Sequence, residues 1–296
     1  MVLAAVLWSS SGFFAQAPWF EAWPKEDRGI MLAFWRSFFA LLILLPFIRK
    51  PRLQWQIIPM AVCFAVMVWS FLSSMVSGSA ASTIWLQYLS PAWVMLGGVF
   101  LGERITRADA GMFACCISGV LLILGMEIGW LGDDSSQIKS TLLGILSGVT
   151  FAGVVLSMRA MRDADSAWLI SICHGATVLI LTPWAIGIMV DIPITSVPVG
   201  SYLALAFFGV FQMSVPYLIF VRGLRSISSP EASVLALAEP VLVPIWVWIA
   251  WRSHPSYIAP SWWTWAGAGL ILAGLLWRYL PLLSRAATRK SVQANS

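Results

Sequence analysis

Three ionisable side chains, Arg36, Glu231 and Glu239, stand inside otherwise apolar runs of this sequence. A charge at the centre of a bilayer costs at least about 2.5–3.5 kcal/mol, so such a residue is there to pair with another or to meet a ligand. The planar guanidinium of Arg36 can grip a carboxylate with two parallel hydrogen bonds. An interhelix strut or a snorkelling side chain would use the same residue without a ligand. Glu239 precedes Pro240, whose missing N–H tends to kink a helix. A carboxylate there can hold a proton or a substrate amine, pair with Arg36, or bond the freed backbone. Glu231 follows Pro230 and reads as a cap on a positive helix end. His174, inside Ile172-Cys173-His174-Gly175, is either a hydrogen-bonded core histidine or a proton relay.

Uncharged polar and aromatic residues gather near the prolines. Trp85, Tyr88 and Pro91 recur every three residues and so share one helix face, with Gln87 beside them. Ser233 accompanies Glu239. Gln212, Ser214 and Tyr217 surround Pro216, and Trp8 to Ser11 form a similar group. Such residues suit an aromatic cavity with a few hydrogen-bonding groups, a site for a small amphiphilic substrate. Pro91, Pro216 and Pro240 are its candidate hinges. Trp19, Trp23, Trp262 and Trp263 read instead as anchors at the membrane interface.

Enzyme chemistry has no foothold. HExxH and GxSxG motifs, metal-ligand clusters and a phosphate-binding loop are all missing from the sequence. Cys63, Cys115, Cys116 and Cys173 lie in apolar runs without zinc or haem spacing. No cofactor or metal is expected, and neither is direct ATP drive.

The elements that must position these residues follow from composition. Hydrophobic residues make up 59% of the 296, charged ones only 10%, and mean hydropathy is +0.84. A soluble domain carries about 25% charged residues, so lipid is the main solvent here. The net charge of +5 is scattered between apolar runs, which points to the membrane surface and away from nucleic acid. Charge-free stretches long enough to cross a bilayer predict ten helices: 2–17, 30–48, 56–76, 80–101, 108–126, 140–158, 167–190, 198–221, 229–250 and 260–280. Ala15-Gln16-Ala17 has the small-residue form of a signal-peptidase site, yet Met1-Val2-Leu3 has no basic n-region. The first run is therefore read as a true helix. With the N-terminus inside, the inner segments hold thirteen Lys and Arg and the outer loops four. The positive-inside rule puts both termini in the cytoplasm.

An internal repeat divides the chain. Shifted by 149 residues, Tyr88-Leu89-Ser90-Pro91 meets Leu237-Ala238-Glu239-Pro240, and Gly125 meets Gly274. Leu45-Pro46 and Leu181-Thr182-Pro183 close the second helix of each half. A unit of five helices ends on the side opposite its start, so its duplicate inserts upside down, an arrangement recurrent in secondary transporters. The expected fold class is thus an all-α integral membrane protein with ten transmembrane helices as two inverted-topology five-helix repeats. Residues 1–126 form the first repeat, 127–139 an outer linker, 140–283 the second repeat and 284–296 a cytoplasmic tail. Glycines such as Gly267, Gly269 and Gly274 permit close helix packing, within one chain or between the subunits of a homodimer.

These elements resemble the drug/metabolite transporter superfamily in its EamA-like branch. The matching marks are Leu89-Ser90-Pro91, Ala238-Glu239-Pro240, the step Leu101-Gly102-Glu103-Arg104, Arg36 in Phe34-Trp35-Arg36-Ser37, and the Gly-rich fifth helices. Trp251-Arg252 departs from the pattern, since the second half lacks the Leu-Gly-Glu step. Among the branch, the chain is similar to the YddG-type exporters of aromatic amino acids. The resemblance implies ten helices in a bacterial inner membrane and efflux of neutral or aromatic amino acids. Sugar-phosphate and nucleotide-sugar carriers share the superfamily. A phosphate ligand would call for several basic residues in the bundle, where only Arg36 stands, so zwitterionic or cationic substrates are favoured.

Overall fold

The computed structural model describes residues 2–100, 102–130, 135–161, 163–223 and 235–294. Among them every regular element is helical, as a lipid environment demands of a backbone that cannot bond to water. The α-helices are α1 (Val2–Trp8), α2 (Ser11–Ala15), α3 (Lys25–Leu44), α4 (Ile57–Ser77), α5 (Ala80–Gln87), α6 (Ser90–Phe100) and α7 (Arg107–Trp130). They continue as α8 (Ser135–Ala160), α9 (Ser166–Asp191), α10 (Val199–Phe207), α11 (Val215–Gly223), α12 (Ala238–Trp251) and α13 (Trp262–Ala294). Among the described residues, six helical stretches are long and apolar enough to cross a membrane, and two shorter apolar helices, Val2–Ala15 and Ala238–Trp251, accompany them.

Several runs expected as single helices are broken, each for a local reason. In the first, the hydroxyls of Ser9 and Ser10 bond back to the carbonyls of Val6 (2.7 Å) and Leu7 (2.6 Å). Those side chains compete with the helical ladder, and α1 stops at Trp8. Between α5 and α6 the chain turns at Tyr88-Leu89, just ahead of Pro91. A third break lies at Leu237, three residues before Pro240, and so falls 149 residues after the one at Tyr88. Between α10 and α11 the chain forms a π-helix over Phe208–Ser214, next to Pro216, whose ring cannot donate to the carbonyl of Gln212.

Other helices outrun their expected ends. Helix α7 reaches Trp130 and α8 starts at Ser135, which leaves less room for a linker than 127–139. Helix α13 has 33 residues, about 50 Å at 1.5 Å per residue. The expected tail at 284–296 is therefore a continuation of α13 as far as Ala294.

Glycines set how closely the helices approach. Helix α7 packs along α13, α4 along α8, and α3 along α9. A Cβ on Gly119 would meet the carbonyl oxygen of Gly267 at 2.6 Å, and one on Gly274 would meet the Met112 carbonyl oxygen at 3.0 Å. The glycine-rich stripes thus join α7 to α13 within one chain. On α3, Gly29 lies against the α4 backbone, where a Cβ would come 2.5 Å from Ser73 Cα.

The tryptophans divide differently from the expectation. Trp19 and Trp262 are exposed, as interface anchors should be, but Trp23 is fully buried and Trp263 nearly so. Trp23 stacks on Phe20, ring centroids 6.4 Å apart, and meets Tyr202 edge-on at 6.0 Å, so neighbouring rings rather than lipid cover it.

The Leu101-Gly102-Glu103-Arg104 step is a helix stop. Gly102 has φ +87°, and the amides of Gly102 and Glu103 donate to the carbonyls of Val99 and Gly98, both at 2.9 Å. That is a Schellman cap, whose left-handed position favours glycine. Asp165 caps α9 by accepting from the amide of Ala167 (3.0 Å), while its other oxygen accepts from the amides of Arg49 (2.7 Å) and Lys50 (3.0 Å). One carboxylate therefore ties the end of the α3 region to the start of α9. Burial acts to raise the Asp165 carboxyl, but the backbone donors of Arg49, Lys50, Ala167 and Trp168 outweigh it and hold it below its usual range.

Two expectations follow. Gly29→Ala lowers the thermal midpoint in detergent by the equivalent of about 1–3 kcal/mol of overpacking, whereas Gly269→Ala, which meets open space, does not. The stability contributed by Asp165 is present above the ordinary carboxylate pKa of about 3.9 and is lost as pH falls through the lowered folded value. Asp165→Asn flattens the acid limb of the midpoint against pH, and an unchanged limb would refute this.

Candidate functional site

Arg36 lies midway along α3 and is only 2% exposed. Its Nη1 donates to Gln212 Oε1 at 2.9 Å. Its guanidinium carbon sits 5.0 Å from the centroid of the Phe208 ring. Nε is buried without a hydrogen-bond partner. Among the described residues no carboxylate pairs with it; the ion pairs are Arg159–Glu103 and Arg278–Asp109. Arg36 is thus a buried cation whose partners are a neutral amide and an aromatic face. Burial without a counter-ion is costly, and the missing negative charge is what a ligand can supply.

The π-helix builds this site. It carries both Phe208 and Gln212, and at Gly209 it runs so close to α3 that a Cβ would meet the Arg36 carbonyl oxygen at 2.6 Å. Gln212 Nε2 donates onward to the carbonyl of Trp8 at the end of α1 (3.3 Å). Ser214 Oγ bonds the Ala40 carbonyl on α3 (3.3 Å). On the α9 side, His174 is fully buried, meets the Phe64 ring edge-on at 5.0 Å, and has no partner on either ring nitrogen. Ser37 and Ser171 are buried with unpartnered hydroxyls, each on the same helix as Arg36 or His174. Polar groups left unpaired in a bundle interior are capacity for a ligand or ordered water.

A second polar group joins the breaks at Tyr88 and Leu237. Pro240 has no N–H to offer the carbonyl of Ala236, four residues earlier. The Tyr88 hydroxyl fills that place, 2.7 Å from the Ala236 oxygen and 2.9 Å from Glu239 Oε2. A hydroxyl has one proton. When Tyr88 donates it to Ala236, a protonated Glu239 completes the chain by donating to Tyr88; an ionised Glu239 competes with Ala236 for it. The possible pairing of Glu239 with Arg36 is not formed.

The remaining candidates are placed as follows. Trp85, one turn before Tyr88, is buried with its indole N–H free of partners, and Gln87 is buried beside it. Ser11 is buried and unpartnered on α2. Tyr217, on α11, lies against Ser166 at the start of α9. Pro91 and Pro240 each sit in the first turn after a break, and Pro216 follows the π-helix. Ser233 and Glu231 lie outside the described residues. Phe208, Ser37 and Ser171 were not singled out by sequence reasoning. The π-helix that aims Phe208 has no sequence period to reveal it, whereas Ser37 adjoins Arg36 and Ser171 precedes His174 by one turn.

One end of the bundle is tied shut. Gln16 Nε2 bridges the carbonyls of Met75 and Gly78, both at 3.0 Å. Ser74 bonds Thr83 (2.7 Å) and the Ser140 carbonyl (2.7 Å). Ser201 bonds the Trp19 carbonyl (2.6 Å).

A buried cation with no carboxylate partner among the described residues thus lies between long apolar helices, with proline-broken helices beside it. The sequence profile of the EamA-like transporter family matches residues 1–125 and 138–280. This chain belongs to the EamA-like transporter family. It is a multi-pass membrane protein of the drug/metabolite transporter superfamily, and a transporter rather than an enzyme. An uncharacterized transporter of Archaeoglobus fulgidus is 25% identical over 221 residues, 72% of this chain and 74% of its own length. A riboflavin transporter of Rhizobium johnstonii is 26% identical over 295 residues, 93% of this chain and 88% of its own. A solved crystal structure shares the fold with a TM-score of 0.61 at 18% identity, over 94% of each chain.

Gln212 is the direct test of the geometry. Gln212→Leu removes the acceptor of Arg36 and costs about 1–3 kcal/mol, the penalty of an unsatisfied buried donor. Gln212→Glu supplies an internal carboxylate, so the EamA-family chain becomes more heat-stable yet loses its thermal response to zwitterionic carboxylates such as phenylalanine. A Gln212→Glu protein with undiminished ligand response would refute the site.

Proposed function

We propose that this transporter exports small amphiphilic metabolites that carry a carboxylate, with neutral and aromatic amino acids as the leading class. It does so by alternating access between two inverted five-helix repeats. The observation that carries this reading is the buried guanidinium of Arg36, without a counter-ion among the described residues, which a substrate carboxylate neutralises with two hydrogen bonds. Phe208, Trp85 and Trp8 supply apolar and aromatic surface for the rest of the molecule, and Ser37 and Ser171 spare hydroxyls for an amino group. A cationic drug would meet like charge at Arg36, and a phosphate ester would find too few basic partners.

The repeat reading is supported by the two matched stretches, 1–125 and 138–280, and by the breaks at Tyr88 and Leu237, equivalent under the 149-residue shift. The contact of α3 with α9 and of α7 with α13 is also what a pseudo-two-fold axis would create, second helix on second and fifth on fifth. Within this reading the chain has ten spans, divided near 127–139, and the excess of Lys and Arg in alternate loops sets both termini in the cytoplasm of a bacterial cell. Glu239 is the proton site: its link to Tyr88 joins the two halves, and taking up or losing the proton changes which acceptor Tyr88 serves.

A flavin is the second reading, favoured by the Rhizobium johnstonii relative named as a riboflavin transporter. It is also an aromatic amphiphile, but brings no carboxylate to Arg36. Counterflow in proteoliposomes separates the two. Saturable exchange of labelled phenylalanine or tryptophan is expected, and Arg36→Lys should slow it about tenfold, as the loss of one charge-assisted hydrogen bond would. Saturable riboflavin exchange with no amino-acid exchange would sink the amino-acid reading. Glu239→Gln should leave amino-acid exchange measurable but remove its dependence on pH; a retained pH dependence takes Glu239 out of the coupling.

A further inference from the structure

At the end of the bundle opposite the Gln16 and Ser74 ties lies a cavity of about 430 Å³, where α6, α7, α8 and α13 converge. Its depth is set by α6: it runs from the helix stop at Glu103 back to Ser90 and Pro91 at the break, about 16 Å at 1.5 Å per residue over the eleven residues of α6. It is separate from the Arg36 group, none of whose residues lines it.

The walls divide by chemistry. Val94, Met95 and Val155 give it an apolar side, while Arg104, Arg159 and Arg278 give it a basic one. The carboxylates present do not balance these charges. Asp109 is engaged by Arg278 and also accepts from the Thr106 amide (3.0 Å) and hydroxyl (2.6 Å), where it caps α7. Glu103 reaches Arg159 only at 3.9 Å, with both side chains more than half exposed, a separation at which an ion pair contributes little. No hydrogen bond or ion pair links Arg104 to another described residue. Three guanidinium groups therefore share two carboxylates, one of them loosely held.

We propose that this cavity is a second ligand site, which takes an amphiphilic anion: a headgroup bearing phosphate or carboxylate between Arg104 and Arg159, and an apolar portion along Val94, Met95 and Val155. Arg278 stays with Asp109 and shapes the wall. Glu103 is the internal competitor, because an arriving anion must displace it from Arg159. The same chemistry could come from an anionic lipid of the adjoining leaflet or from a soluble amphiphile on its way to the break at Tyr88. The site does not depend on the role given to Arg36.

The test uses the full chain and two probes. In nanodiscs of phosphatidylcholine with and without phosphatidylglycerol, the thermal midpoint reads the lipid; in detergent, titration with decyl phosphate reads the soluble anion. The wild-type protein is expected to respond to at least one probe. The double variant Arg104→Gln, Arg159→Gln should weaken that response about tenfold or more, the loss of at least one charge-assisted hydrogen bond. Glu103→Gln should strengthen it, a gain that misfolding cannot produce, and Arg36→Gln should leave it intact. A response to phosphatidylglycerol alone assigns the site to lipid, and a response to decyl phosphate in detergent assigns it to a soluble anion. No response to either probe, an equal response in the double variant, or loss of the response in Arg36→Gln overturns the proposal.

Discussion

A positive charge held away from water, with no negative partner among the described residues, constrains the rest of this molecule. Arg36 is enclosed by α3, α9 and the π-helix, and the fold meets its demand with a neutral amide and a ring face. Neither neutralises the charge. The cost is borne by the packing around it, and it is the reason the site can be selective: whatever ligand restores charge balance recovers energy already spent on burial. The π-helix is part of the same arrangement. One extra residue in the turn brings Gln212 to Arg36, and Gly209 lets the two backbones approach closely enough for Phe208 to lie against the guanidinium.

The proline-broken helices solve a related problem with backbone groups. Each proline leaves a carbonyl without its helical donor, and in an apolar interior that carbonyl has to be satisfied by something else. For Pro240 the solution is the Tyr88 hydroxyl, supplied from the break between α5 and α6. A structural repair thereby becomes a link between distant parts of the chain. Glu239, adjacent to Pro240, shares the one proton of Tyr88, so a backbone defect and an ionisable group are joined in the same short chain of hydrogen bonds.

Movement in such a bundle needs some helices to stay together while others part. The close approach of α7 and α13 through Gly119 and Gly267 marks a rigid pairing, since the backbones are nearly in contact. The bonds made by Gln16, Ser74 and Ser201 are of another kind. They are single side-chain hydrogen bonds to backbone carbonyls or hydroxyls, each worth about 1 kcal/mol, and can be exchanged for water when that end opens. The other end is already hollow, walled by arginines and valines. This asymmetry between a tied end and an open one is what one state of an alternating-access cycle would look like.

Sequence alone determined that the chain is a helical membrane protein, where the apolar runs lie, and that Arg36 and Glu239 stand inside them. All of these rest on composition and one-dimensional pattern, because lipid imposes the same demand on every residue of a span. Tertiary structure decided which partners meet. It separated Arg36 from Glu239, gave Arg36 the Gln212 amide, took the hydrogen bond expected of His174 away, and buried Trp23 among aromatic rings. It also formed the π-helix, carried α13 through the expected tail, and opened the arginine-lined cavity. Those outcomes depend on how helices approach one another. That is set by glycines, hydroxyls and prolines acting across distances of a hundred residues or more, and no local period records it.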